Sequence, residues 1–148
     1  IEHLRTKWGQ MRSVWENNTL QEFFDAKPDN TSQWSHCAVA PLIALSQGVA
    51  GISPLKADGS LIKIEPQVAD LEQVEFDVYT QRGFVHFFSK GKLGNRTVTI
   101  DMPNNVSAEI WLDEREKVNL PLLRTEANGI KVYLLENTKK LKLKLKHS

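Results

Sequence analysis

The sequence lacks several features that would place a protein in a specialised class. A single cysteine, Cys37, excludes an internal disulfide and any zinc site built on several cysteines. No apolar run approaches the roughly 18 residues that a membrane-spanning helix needs. The 19 Lys and Arg residues nearly balance the 18 Asp and Glu residues, so the whole molecule has no strong field. We therefore expect neither a nucleic acid nor a membrane as a partner.

Recognisable cofactor and targeting motifs are also missing. No cluster of His, Cys or carboxylate residues has metal-ligand spacing, and no Gly-rich phosphate loop is present, so we expect no metal and no cofactor. The first residues do not resemble a signal peptide, and residue 1 is Ile, not Met. We expect a processed product or a piece of a longer protein, and periplasmic, extracellular and cytoplasmic locations all remain open.

The first fifty residues predict helices. Apolar residues recur every three or four positions through Ile1–Glu16, which predicts one helix with an apolar stripe despite Gly9. A second helix is predicted to begin at Ser35 as N-cap, with Pro41 in its first turn or at a kink, and to end near Gly48 or Gly51. This second helix is apolar on nearly every side. We expect it to be mispacked in the isolated chain, covered by other elements or buried in a homo-oligomer contact.

From Ile52 the apolar pattern changes to a period of two, which predicts strands. Turn residues separate the runs, and "ADGS", "QRG", "GKLGN", "MPNN" and "EANG" are predicted hairpin turns. This spacing is typical of an antiparallel β-sandwich. The sequence therefore predicts a mainly β fold with N-terminal helices, divided into helices over residues 1–52 and a sandwich over 53–148. The predicted strands are 61–67, 74–80, 83–90, 96–103, 105–113, 129–136 and 139–147.

The last run, "KKLKLKLKH", alternates Leu with Lys. A basic patch for nucleic acid is one interpretation, but strict alternation is the simpler signature of a strand with one face in the core and one in water. We prefer the strand. His86 in "FVHFF" is predicted to lie on a strand, at its rim or on one face.

The stretch "NNTLQEFF" leaves two interpretations open. Thr19 followed three residues later by Glu22 fits a capping box at a helix start. The polar segment up to His36 also contains Trp34, and sugars stack on aromatic rings while they hydrogen-bond to carboxylates, amides and imidazole. Glu22, Trp34 and His36 are therefore candidate sugar-site residues, whereas a capped turn followed by a polar loop needs no ligand.

Four segments in order resemble the C-terminal end of bacterial α-L-rhamnosidases, which are glycoside hydrolases with an (α/α)6 barrel followed by a β-sandwich. The resemblance covers about Trp8 to Leu112. The segments are "WGQMRSVWENNTLQEFF", "SHCAVAPLIALSQGVAGISP", "IKIEPQVADLEQVEFDVYTQRGFVHFFSK" and "TVTIDMPNNVSAEIWL".

The resemblance implies roles for particular residues. "NTLQE" is similar to the family's stretch around its catalytic general base, which places Glu22 at that position, and the "SH" pair places His36 in contact with rhamnose. Gln21 stands where the family has Trp. The implied reaction is inverting hydrolysis, in which an acid and a base stand about 6.5 to 9.5 Å apart.

Because the partner acid in such enzymes lies far upstream, we expect the 148 residues alone to be inactive. The partners implied are the remainder of the barrel and a rhamnose-containing glycoside or polysaccharide. Two alternatives stay open: an unrelated hydrolase with the same barrel, and a non-catalytic carbohydrate-binding or structural sandwich. Trp111 and Tyr133 are candidates for an aromatic binding platform, but both lie in alternating strand runs and we prefer core packing for them.

Overall fold

The computed structural model describes residues 1–25, 27, 39–136 and 139–147 of the chain. The chain divides into two compact units, Ile1–Leu45 and Ser46–Ser148, which are described separately below. No described helix is long and apolar enough to cross a lipid bilayer.

The first unit begins with two short helices where the sequence predicts one. Helix α1 spans Glu2–Thr6, a 3-10 turn spans Trp8–Gln10, and helix α2 spans Arg12–Glu16. The prediction of a single helix is wrong because the backbone turns extended at Met11, with φ −64° and ψ 128°. Gly9 lies in this break, where a glycine weakens helix continuity, and Met11 gains burial there.

The second apolar segment is helical from Ala40 onward. Helix α3 spans Ala40–Ile43 and continues as a π-helix over Ala44–Val49. Pro41 stands in the first turn of α3, which confirms that part of the prediction. The predicted N-cap, Ser35, lies outside the described residues. After the π-helix, Gly51 adopts φ +70°, and a Cβ there would collide with the carbonyl oxygen of Glu65.

The second unit is a sandwich of two five-stranded sheets. The first sheet has the order β1-β2-β6-β9-β8 and the second has the order β3-β4-β5-β10-β7. All seven predicted strands are confirmed, and three further short strands, β1, β7 and β8, were not predicted. The strands are β1 Ile52–Pro54, β2 Leu61–Ile64, β3 Gln73–Thr80, β4 Gly83–Lys92, β5 Asn95–Asp101, β6 Ser107–Leu112, β7 Glu116–Lys117, β8 Leu122–Thr125, β9 Lys131–Leu135 and β10 Lys140–His147.

One strand pair departs from the predicted antiparallel pattern. Strands β2 and β6 are parallel, with Ile62 opposite Ala108. The cause is the segment "MPNN", which was predicted to form a hairpin. It instead carries the chain from β5 in one sheet to β6 in the other, so that β6 returns beside β2 in the same direction. The other four predicted turns do connect antiparallel neighbours.

The core lies between the two sheets and follows the alternation of the sequence. Phe87, Ile100 and Ile110 are fully buried, and their neighbours along each strand point outward. In β10, Leu143 and Leu145 are buried while Lys142 and Lys144 are exposed, which confirms the strand interpretation of "KKLKLKLKH". Strand β10 pairs with β5 along its length, and with β7 only at Lys146 and His147.

A buried ion pair fastens the short strand β7 to β5. Arg96 donates from Nε and Nη2 to the two carboxylate oxygens of Glu116 at 2.9 and 2.7 Å. The two side chains are only 3% and 0% exposed. This geometry is bidentate, which is the arrangement in which a buried pair best offsets the cost of removing both charges from water.

Candidate functional site

The segment around Glu22 starts at the end of a helix and not at the beginning of one. The backbone N–H groups of Asn17 and Thr19 both donate to the carbonyl of Ser13 at 3.1 Å, which closes the C-terminus of α2. Asn18 has φ +53°, a left-handed conformation typical of such ends. No helix follows in the described residues 20–25, and the Thr19 hydroxyl bonds to Asn17. The capping-box interpretation is therefore wrong.

Glu22 and its neighbour Gln21 lie in opposite environments. Gln21 is completely buried, and its Nε2 donates to the carbonyl of Lys27 at 2.9 Å. Its Oε1 has no donor within the described part of the chain. Glu22 is exposed, so its carboxylate is accessible to water. The buried amide anchors the loop while the next side chain projects outward.

Aromatic residues near Glu22 in the sequence pack among themselves. The ring of Phe24 meets that of Trp8 edge to face at 5.0 Å between centroids, and meets that of His3 at 5.9 Å. Trp15 donates its indole N–H to the carbonyl of Gly9 and is otherwise 76% exposed. A groove of about 350 Å³ beside α1 and α2 is mostly apolar, and of the described residues that line it none is a carboxylate.

Two of the three predicted site residues fall outside the described part of the chain. Trp34 and His36 both lie in the stretch 28–38. Their proximity to Glu22 stays a prediction. His86, also considered from the sequence, lies on β4 and contacts Asp77 through Nδ1 at 2.8 Å and Glu75 through Nε2 at 3.5 Å.

In the sandwich, neither predicted platform residue offers a free ring face. Tyr133 is buried, and this burial raises the pKa of its hydroxyl. Trp111 has Lys63 and Arg124 over its ring at 5.0 and 5.4 Å, which are cation–π contacts. Its indole N–H donates to Glu109 at 3.0 Å.

Glu109 is the centre of the polar network beside Trp111. Arg124 donates to both carboxylate oxygens of Glu109 at 2.9 and 2.8 Å, and to Glu126 at 2.7 Å. The hydrogen bonds from Arg124 lower the pKa of Glu109, although burial opposes the shift. The same bonds raise the pKa of Arg124. This network fixes Trp111 in place and leaves it a structural part of the sheet.

One end of the sandwich has a cleft of about 390 Å³ that contains three carboxylates. Each of them is paired: Glu65 with Lys63 at 2.7 Å, Glu116 with Arg96, and Asp113 with Arg115 at 2.7 Å. Hydrogen bonds from Arg115 lower the pKa of Asp113 to about 2. A general acid at neutral pH needs a raised pKa, so the pKa shift of Asp113 is opposite to the one that role requires. Among the described residues no group of three possible ligands could hold a metal ion.

A second cavity of the sandwich, about 270 Å³, lies between the β1–β2 and β3–β4 hairpins and was not found from the sequence. Two exposed aromatic residues lie here: Tyr79 lines the cavity, and Phe84 is opposite Tyr79 on the next strand. The alternation of residues along β3 and β4 was enough to predict that these two rings are exposed. If Val78 and Val85 face the core, their neighbours Tyr79 and Phe84 must face outward.

Comparison with solved structures gives this architecture a context. The chain superimposes on the α-L-rhamnosidase of Streptomyces avermitilis complexed with L-rhamnose, with a TM-score of 0.60 and 18% identity. The match covers 84% of this chain and 13% of that one. The chain has the fold of a segment of an α-L-rhamnosidase.

Two further α-L-rhamnosidases support the same conclusion about the fold. The enzyme of Dictyoglumus thermophilum gives a TM-score of 0.57 at 19% identity, over 86% of this chain and 16% of that one. The enzyme of Aspergillus terreus gives a TM-score of 0.50 at 20% identity, and the match covers 87% of this chain and 14% of that one. No family model and no curated protein sequence matches the chain. The predicted resemblance is thus confirmed at the level of the fold, and the chain spans a small fraction of each enzyme's length.

Proposed function

We propose that the chain is the C-terminal portion of an α-L-rhamnosidase-like glycoside hydrolase that removes terminal α-L-rhamnosyl residues with inversion. The observation that carries the proposal is the fold match, which extends over more than four fifths of the chain. The Streptomyces avermitilis enzyme was solved with L-rhamnose bound, which suggests the substrate class. In this proposal residues 1–52 are the last helices of an (α/α)6 barrel and residues 53–148 are its accessory sandwich.

Glu22 serves as the general base in this proposal. Its exposed carboxylate follows a buried anchor, Gln21, and can hold a water molecule against the anomeric carbon. Trp34 and His36 contact the sugar. The general acid comes from the rest of the parent protein, about 6.5 to 9.5 Å from Glu22, which leaves room for the attacking water. One carboxylate cannot perform both proton transfers, so the 148 residues alone are inactive.

The surface of the first unit supports a covered position in a larger protein. Trp15, Phe23 and Val39 all expose about half or more of their surface. Exposed apolar side chains of this size are candidates for contact with a partner. The remainder of the barrel is the partner that fits the proposal, and a homo-oligomer contact is the competing one.

The test is Glu22→Gln in the full-length parent. Loss of the base lowers kcat for an aryl α-L-rhamnoside by at least about a hundredfold, while the shape of the side chain is kept. Asp25→Asn is the matched control, because Asp25 is another exposed carboxylate three residues away. It leaves the rate within a few-fold of wild type.

Azide sharpens this test because it attacks without losing a proton. In Glu22→Ala, added azide restores turnover and yields a rhamnosyl azide with inverted configuration, whereas azide does not accelerate wild type. Near wild-type hydrolysis by Glu22→Gln, or rescue of Asp25→Asn alone, contradicts the assignment of Glu22 as the base.

A further inference from the structure

The cavity between the β1–β2 and β3–β4 hairpins has a lining that differs from the other surfaces of the sandwich. It has a volume of about 270 Å³, and none of the described residues that line it carries a charge. Its polar groups are hydroxyls and amides, which both donate and accept hydrogen bonds. These polar side chains include Gln47, Ser53 and Gln81, whereas the Thr80 hydroxyl is already bonded to the Gly83 carbonyl and the Arg82 N–H. The lining therefore matches a neutral ligand rich in hydroxyl groups.

An exposed aromatic pair stands beside these groups. Tyr79, which lines the cavity, and Phe84 are 73% and 63% exposed, and their ring centroids are 5.5 Å apart at an interplanar angle of 71°. Two exposed rings in contact form a contiguous apolar patch, and such patches are candidates for ligand binding. A pyranose ring has one apolar face and a polar edge, so it can stack on a ring while its hydroxyls reach amides.

A clamp joins the two hairpins at Asp58 and Arg82, next to the lining residues Gly59 and Gln81. Arg82 donates from Nε to the carbonyl of Asp58 at 2.8 Å and from Nη2 to its carboxylate at 2.9 Å. Asp58 in turn accepts from the backbone N–H and hydroxyl of Ser60 at 3.0 and 2.7 Å. A site fixed before binding loses less conformational freedom when its ligand arrives.

We propose that this cavity binds one neutral sugar residue of a glycan, stacked on Tyr79 and hydrogen-bonded to Gln47 and Gln81. The uncharged lining disfavours an anionic sugar, because nothing in it compensates a buried carboxylate. Its volume suits a single ring, being slightly below the roughly 300–1,000 Å³ of pockets for drug-sized ligands. The site lies wholly within Ser46–Ser148 and does not depend on Glu22 being catalytic.

The test is an NMR titration of the full 148-residue chain with L-rhamnose, methyl α-L-rhamnoside and xylohexaose, with tri-galacturonic acid as the charged comparison. We expect saturable shifts of the amides of Tyr79, Gln81 and Gln47 with at least one neutral sugar and none with the charged one. Tyr79→Ala weakens that binding by about tenfold, as the loss of one aromatic contact predicts. Arg82→Gln weakens it about threefold, because the clamp only positions the site.

The control is Leu122→Ala, which removes an exposed apolar side chain from strand β8 of the same unit. It leaves the affinity unchanged, and near-ultraviolet circular dichroism shows that all variants remain folded. Three results overturn the proposal: no saturable shift at the highest soluble sugar concentrations, shifts that map elsewhere, or equal losses in Tyr79→Ala and Leu122→Ala. In the full-length parent, Tyr79→Ala keeps wild-type hydrolysis of an aryl rhamnoside, which separates this site from the role of Glu22.

Discussion

The two units of this chain bury their apolar residues to very different degrees. In Ile1–Leu45, Met11 and Pro41 are the buried apolar residues among those described, whereas the rest of the described core belongs to Ser46–Ser148. Trp15 and Phe23 of the first unit remain mostly exposed. The sandwich closes its hydrophobic faces on each other, and the short helices do not close theirs. The contrast teaches that one chain can combine a unit that closes its own core with a unit whose described residues leave several large apolar side chains exposed.

Helix length explains much of this contrast. Helices α1, α2 and α3 have five, five and four residues. Isolated helices shorter than about 12–15 residues are marginal in water, because nucleation costs more than a few hydrogen bonds return. The strands, in contrast, have neighbours within the unit, and β5 pairs with β4 on one side and β10 on the other.

Hydrogen exchange measures the contrast directly and has the largest expected effect. The amides of Val98 and Ile100 in β5 exchange only when the whole sandwich unfolds, which costs the global free energy of unfolding, roughly 5 kcal/mol or more. Amides of Arg5 and Lys7, bonded only within their short helix, open at close to zero cost. We expect protection factors that differ by about a thousandfold or more. Equal protection in the two units would refute the contrast.

The buried ion pair provides the next largest effect. Glu116→Ala leaves Arg96 charged and buried without its partner, which lowers the free energy of unfolding by about 3–5 kcal/mol in urea titrations. The double variant Arg96→Met with Glu116→Leu recovers most of this loss, because no buried charge remains.

Glu72→Ala is the control, since it breaks the exposed pair with Lys92. This substitution lowers the free energy of unfolding by less than about 0.5 kcal/mol. A loss at Glu116 as small as the loss at Glu72 would mean that the pair is not buried in solution.

The smallest effect is the pH dependence contributed by Glu109. Its pKa in the folded state is lowered below the ordinary value of 4.5, mainly by Arg124. The stabilisation is therefore fully present above pH 4.5 and is lost as pH falls through the lower folded pKa. Glu109→Gln lowers the free energy of unfolding by about 1 kcal/mol at pH 7. The loss is this small because Arg124 is partly exposed, so water screens its attraction to Glu109.

At pH 2 the difference between Glu109→Gln and wild type shrinks, because the wild-type carboxyl is also becoming protonated. Urea titrations at both pH values measure it. Glu126→Gln, which removes a more exposed partner of the same arginine, shows a weaker version of this trend. A difference that does not change with pH would show that the charge of Glu109 contributes nothing.

Predictability from the sequence follows the range of the interactions. Alternation in "KKLKLKLKH" identified β10 because strand periodicity is a local property. The short strands β1, β7 and β8 were missed, since each of them is defined by its partner and not by its own pattern. For the same reason Thr19 and Glu22 matched a capping box by spacing, while the carbonyl of Ser13 accepts the backbone bonds that end α2.

The candidate sites show the same division. The resemblance around "NTLQE" nominated Glu22, and the structure adds that its carboxylate is exposed beside a buried Gln21. Trp111 was predicted as a candidate platform, but Lys63 on β2 and Arg124 on β8 lie over its ring. The pair Tyr79 and Phe84 was overlooked, because two strands must align before the rings become neighbours.

The sequence by itself determined the seven principal strands, the orientation of their apolar faces and the resemblance to an α-L-rhamnosidase segment. These depend on periodicity and on ordered motifs, which a linear chain carries in full. Only the tertiary structure decided that β6 runs parallel to β2, that Arg96 and Glu116 pair in the core, and that two hairpins enclose a neutral cavity. Each of these joins residues about twenty or more positions apart, and their contact exists only after the sheets have paired.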